Sequence, residues 1–146
     1  MRVLVCLPDG ADRLSLSFQR LLNAAMLINA DAIKAGRPLP PLYKASRVKG
    51  EPGSIIYLGE PWAGNGIEEF ATPWQVVERG CGDCDDLVIY RGAELIASGR
   101  PCHARVLRET ELNKYHTQLT RDFGPRCVED PCLQRLGRPI EQWLIR

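Results

Sequence analysis

The chain lacks a surplus of either charge. Lysine and arginine total 19 and aspartate and glutamate 18, a formal net charge of +1, so no global field draws it toward nucleic acid or an anionic membrane. Its start also lacks a long apolar run. Only five apolar residues, Val3 to Leu7, precede Pro8, too few for the hydrophobic region of a secretory signal or for a membrane span. The product is therefore expected to be cytoplasmic at synthesis. Repeats and low-complexity stretches are absent as well. Histidine is scarce, with His103 and His116 the only two, which restricts imidazole chemistry to two places. Cysteine is not scarce: Cys6, Cys81, Cys84, Cys102, Cys127 and Cys132 are present. In a small secreted chain six cysteines suggest a disulfide framework; without a signal segment they are expected to stay reduced, which leaves thiol or metal chemistry open.

A chain of 146 residues with 45% hydrophobic and 25% charged residues fits one folded domain spanning 1–146. We divide it into an N-terminal helix with covering loops (1–71), a core (72–137) and a C-terminal tail (138–146) carrying Trp143. An extended start ends in the turn Pro8-Asp9-Gly10. From Ser15 or Ser17, Phe18, Leu21, Leu22, Ala25, Met26, Asn29, Ala32 and Ile33 recur at helical spacing until Gly36 and Pro38. Residues 36–66 are broken by prolines and glycines and predict irregular covering chain, with one short strand at Ser54–Leu58. Thr72-Pro73-Trp74-Gln75 is a helix start, with a threonine cap, proline in the first turn and glutamine three residues after the cap. That short helix runs to Gly80. Strands are then expected at Arg100–Arg108, Tyr115–Thr120 and Arg126–Asp130.

The chain is organised around Gly80-Cys81-Gly82-Asp83-Cys84-Asp85-Asp86-Leu87. Asp83 caps the next helix, which ends near Ser98-Gly99, and Cys84 falls in its first turn. There the unpaired N–H groups and the dipole are expected to lower the pKa of a thiol and to receive an oxyanion. Asp83 and Asp86 bring negative charge close by, which makes a cationic partner for the thiolate more necessary. His116 stands in a strand of clear two-residue alternation. A hairpin centred near Phe123 would set His116 opposite Asp130, close enough for the carboxylate to orient the ring. Cys84, His116 and Asp130 then form a Cys-His-Asp arrangement for nucleophilic catalysis. Trp74 and Gln75 are the candidates for substrate or oxyanion contacts.

Gly82-Asp83-Cys84-Asp85-Asp86-Leu87, with Ala93-Glu94-Leu95, Gly99, Ala104-Arg105-Val106, His116 and Glu129-Asp130-Pro131, resembles the core of the transglutaminase-like superfamily. It is similar in particular to small tailed-bacteriophage members and to bacterial transglutaminase-like cysteine proteinases. The resemblance is best over Trp74–Gly137. It implies an α+β, papain-like fold in which the cysteine helix packs on a small antiparallel sheet, with Cys84, His116 and Asp130 as catalytic triad. It also implies a thiol-dependent hydrolase or acyl transferase acting on amide bonds of a protein or peptide, with no cofactor. Phage or bacterial structural proteins are the expected partners, a virion-associated location is included, and neither nucleic acid nor membrane is involved.

Three other readings compete. Cys81 and Cys84, with Cys102, His103, Cys127 or Cys132, could supply a tetrahedral zinc site, with Cys81, Cys84, Cys102 and Cys127 as one such set. Cys81 and Cys84 form a Cys-x-x-Cys pair of the redox kind, although a helix, not a strand, is expected to precede them. The same fold could also serve as a non-catalytic assembly or binding module.

Overall fold

The computed structural model describes residues 3–6, 11–58, 67–109, 114–120 and 129–132. They build a mixed helix and strand, α+β, arrangement. In chain order the elements are β1 (Val3–Cys6), α1 (Ala11–Lys34), a 3-10 turn (Leu42–Lys44), β2 (Ile56–Tyr57), β3 (Ile67–Phe70), α2 (Pro73–Arg79), β4 (Cys81–Gly82), α3 (Cys84–Ala97), β5 (His103–Glu109) and β6 (Lys114–Thr120).

Helix α1 starts earlier than its periodicity suggests, at Ala11. Phe18, Leu22, Met26 and Ala30 form its buried stripe, the three-to-four spacing of a helix with one apolar face. That face lies on α3, where the missing side chain of Gly92 makes room for Met26: a Cβ at Gly92 would stand 2.6 Å from Met26 Cε and 2.7 Å from its Sδ. The same helix covers the outer edge of β5. Asn23 Oδ1 accepts from the Ala104 N–H at 2.8 Å and Gln19 Oε1 from the Val106 N–H at 3.3 Å, which satisfies edge groups that would otherwise invite another strand.

The cap signature at Thr72 is realised in full. Thr72 Oγ1 accepts from the Gln75 N–H and Gln75 Oε1 from the Thr72 N–H. Gly80 closes α2 at φ 71, a left-handed conformation that favours glycine. The turn delivers the chain into β4, which pairs in parallel with β2, Ile56 with Cys81 and Tyr57 with Gly82. The expected strand at 54–58 is thus shortened to two residues, and neither β4 nor β3, which pairs antiparallel with β1, was expected from local pattern.

β5 and β6 form an antiparallel pair running from His103↔Thr120 to Glu109↔Lys114. Ala104 and Leu119 enter one buried cluster with Val88 and Ile89 of α3 and Phe18, Leu22 and Met26 of α1, so the cysteine-bearing helix packs on this antiparallel pair. Beyond β6, Leu119 bridges Glu129. This differs from the expected register by two residues: Gln118, not His116, stands opposite Asp130. A slip of two keeps every side chain on its face, whereas a slip of one would have reversed them. The rest of the expected third strand, Cys127 and the tail with Trp143 lie outside the described residues.

Candidate active site

Asp83 begins α3, and its side chain accepts from the N–H groups of Asp85 and Asp86 at 3.1 and 3.0 Å. Asp86 returns the contact, accepting from the Asp83 N–H at 3.2 Å with Oδ2 and from the Ala71 N–H at 2.9 Å with Oδ1. This reciprocal box fixes the helix start firmly. It also engages donors that the sequence reading had left for an oxyanion. The box does not engage the N–H of Cys84 itself.

Cys84 occupies the first position of α3. The residue keeps some exposure, but its sulfur is densely surrounded, and the expectation of a lowered pKa is overturned. Burial pushes the thiol well above its ordinary value, Asp85 and Asp83 push it further, Cys132 adds to this, and nearness to the Thr117 hydroxyl acts the other way. Cys84 Sγ lies 3.8 Å from Asp85 Oδ1, so the nearest carboxylate belongs to Asp85 and not to Asp86, which turns toward Ala71. A helix dipole is a fraction of a charge; two carboxylates and desolvation outweigh it.

His116 and Asp130 do come together. Nε2 of His116 is 2.5 Å from Oδ2 of Asp130, and the same oxygen accepts from Gln118 Nε2 at 3.1 Å. All three are buried, Asp130 completely. With Nε2 engaged, Nδ1 is the ring atom that could address a thiol. Strand alternation nevertheless turns Thr117, the next residue, toward the Cys84 sulfur. The sulfur meets Asp85, Thr117 and Cys132.

Asp130 is held in place through its neighbour. Glu129 takes a bidentate contact from Arg91, with Nε to Oε2 at 2.7 Å and Nη2 to Oε1 at 3.1 Å, and accepts from the Tyr43 hydroxyl at 2.9 Å. Arg91 also donates to Glu94 at 2.9 Å and lies over the Tyr43 ring at 4.5 Å. Glu94 Oε1 accepts from the Leu42 N–H at 2.7 Å. One guanidinium thereby joins α3, the 129–132 segment and the stretch around Tyr43.

The two oxyanion candidates are engaged elsewhere. Trp74 donates its indole N–H to Pro38 O at 2.8 Å, with Arg37 over its ring at 4.0 Å, and the Gln75 carboxamide oxygen belongs to the Thr72 box. Tyr57 was not anticipated. Its phenol is raised by burial and then by Cys84, Cys132 and the two aspartates, which marks it as a neighbour of the thiol. The strand holding Tyr57 was legible, but its parallel pairing with β4 depends on residues 25 positions away.

The zinc set is not assembled. Cys102 points its thiol at Gly92 O, 3.6 Å away, within the α1–α3 cluster, whereas Cys84 packs against the cluster containing Leu87, Tyr90 and Cys132. Among the described residues no group of three or more His, Cys, Asp or Glu side chains could hold a metal ion. The objection to a redox pair changes form: a two-residue strand, β4, does precede α3, and Cys81 and Cys84 are both free thiols. Among the described residues no helix is long and apolar enough to cross a membrane.

No family model, curated protein or solved structure matches the chain.

Proposed function

We propose that the protein is a thiol-dependent hydrolase or acyl transferase acting on amide bonds, on a papain-like, transglutaminase-like core. The observation that carries this reading is the buried His116–Asp130 pair on the strand beside the helix start that bears Cys84. In this reading Cys84 attacks the amide carbonyl, His116 removes and returns the proton, and Asp130 orients the ring. Because burial, Asp85 and Asp83 all oppose negative charge on the sulfur, the thiolate forms only when His116 takes the proton. The proton passes from sulfur to His116 Nδ1 and then to the leaving amine. The Cys84 thioester is released by water in hydrolysis or by an amine in transfer. The Cys84 N–H supplies one oxyanion donor. The substrate class is a protein or peptide, with phage or bacterial structural proteins as candidate partners.

A second reading, a non-catalytic assembly or binding module, draws on the raised thiol and on Thr117 rather than His116 facing the sulfur. Hydroxylamine trapping separates the two. With a pool of blocked peptide amides, an enzyme releases hydroxamates from its thioester, and Cys84→Ala and His116→Ala each abolish the signal. A wild-type protein that yields no hydroxamate and no acylated Cys84 peptide belongs to the second class.

A further inference from the structure

Thr117 Oγ1 is the one buried side-chain nitrogen or oxygen among the described residues with no hydrogen-bond partner. The residue has 0% exposure, and native proteins rarely leave such a hydroxyl unsatisfied, because nothing replaces the water it has lost. Thr120, three residues further along β6, donates its hydroxyl to His103 O at 3.4 Å. Thr117 has no such carbonyl. Its neighbour is the Cys84 sulfur, near enough for the hydroxyl to favour a thiolate yet outside the geometry of a bond to the resting thiol.

The other groups facing this sulfur have the opposite effect or none. Asp83 and Asp85 approach from the start of α3, Cys132 from the 129–132 segment, and all three disfavour negative charge on Cys84. Tyr57 approaches from β2. His116 precedes Thr117 on β6, with its Nε2 engaged by Asp130. A neutral thiol is a weak acceptor and a thiolate a strong one. A donor that is idle in the first state and bonded in the second stabilises only the charged form, which is the differential stabilisation that preset dipoles provide.

We propose that the Thr117 hydroxyl is a preset donor to the Cys84 thiolate, unsatisfied while sulfur carries its proton and bonded once the proton leaves. In the enzyme reading, on which its catalytic use rests, the S–H bond breaks, the proton moves to His116 Nδ1 and the Thr117 O–H turns to sulfur. Thr117 touches the reacting atom and is a catalytic residue in that sense. The donor role itself requires only that Cys84 ionise.

The test is the pH dependence of Cys84 alkylation by iodoacetamide, read by peptide mapping, in the full chain and in Thr117→Val, Thr117→Ser and His116→Ala. Thr117→Val keeps the shape and removes the hydroxyl. It should raise the alkylation midpoint by about one pH unit, a tenfold loss of rate below the midpoint, as expected for one hydrogen bond to a charged group. Its Tm should hold or rise, since an unsatisfied hydroxyl has been removed. Thr117→Ser should restore the wild-type midpoint. An unmoved midpoint in Thr117→Val, a failure of Thr117→Ser to restore it, or a fall in Tm showing the hydroxyl to be bonded at rest each overturns the proposal. His116→Ala separates the two claims. If it changes nothing while Thr117→Val shifts the midpoint, the enzyme reading falls and the donor stands; the reverse pattern removes the donor and leaves the enzyme reading.

Discussion

His116 Nε2 and Gln118 Nε2 converge on a single oxygen, Oδ2 of Asp130, at 2.5 and 3.1 Å. Both side chains come from one face of β6, and the carboxylate they share has 0% exposure. A buried carboxyl group without hydrogen-bond partners is costly, and this convergence supplies them.

Replacing Asp130 therefore affects stability as well as chemistry. Asp130→Ala leaves an imidazole and a carboxamide facing a void and should cost about 3 kcal/mol, the range for breaking a buried pair. Asp130→Asn retains an acceptor oxygen and should cost less than half as much. Urea unfolding measures both. A loss of under about 0.5 kcal/mol for Asp130→Ala, the scale of a surface change, would mean that the pair is not formed in solution.

Arg91 separates two acids. Glu94 is already raised above its ordinary carboxylate value, chiefly by burial, with the charge on Glu129 adding to the effect and Arg91 opposing it. An acid whose pKa is raised by folding contributes stability below its unfolded pKa and loses it as pH rises through the folded value. Arg91→Met removes the restraint, so Glu94 and Glu129 repel each other more strongly as they ionise. The variant should lose roughly 2–4 kcal/mol at pH 7 and visibly less at pH 4.5. Denaturant melts at the two pH values check this; an equal loss at both would show that Arg91 acts by packing alone.

Local signals in the sequence were legible where one stretch of chain carried the whole reason. The Thr72–Gln75 box, the Asp83 cap and the strand over 115–120 each depend on residues within a turn or a strand of one another, and each is found, although residues 116–120 are buried on both faces and not alternately. The Asp83 cap has a second local consequence: its carboxylate engages the Asp85 and Asp86 N–H groups and so removes them as oxyanion donors. Non-local pairing was not legible. Nothing near Tyr57 reveals that Gly82 will pair with it, and nothing near Glu129 reveals that Arg91, 38 residues earlier, will clamp it. The hairpin register erred by two because its closing turn was centred by symmetry about Phe123, whereas Leu119↔Glu129 sets it. The even slip left His116 and Asp130 on one face, which is why the pair survived the error.

Gly92 tests how closely α1 and α3 are packed. In an exposed helix, alanine in place of glycine stabilises by about 1 kcal/mol. Here the added Cβ would meet Met26 Cε, Sδ and Cγ at 2.6, 2.7 and 2.8 Å, so Met26 must vacate its site. Gly92→Ala should destabilise by about 1–3 kcal/mol, the range for overpacking. In a Met26→Ala background, where that obstacle is absent, the same substitution should be neutral or stabilising. A double-mutant cycle in urea reads the coupling, and additive changes would place the helices farther apart than described.

Cys84 ties stability to reactivity in the alkaline range. Its folded pKa lies above the value for an unfolded thiol, about 8.5, because burial, Asp85 and Asp83 all oppose the thiolate. Folding thus favours the protonated form: the contribution to stability is present below the unfolded pKa and is lost as pH rises toward and through the folded one. Cys102, pushed up to about 11 by burial, acts in the same direction. The unfolding free energy should fall as pH increases above about 8.5, and Cys84→Ala should flatten the fall while leaving the part due to Cys102. At neutral pH the wild-type Cys84 should alkylate no faster than a free thiol unless His116 takes its proton, so any excess rate should disappear in His116→Ala and shrink less in Asp130→Asn, where orientation is lost but the base remains. Stability measured from pH 7 to 10 and peptide-mapped alkylation rates address the two halves separately. A stability profile unaffected by Cys84→Ala would contradict the buried, acid-flanked sulfur, and an excess rate that persists in His116→Ala would remove His116 as its base.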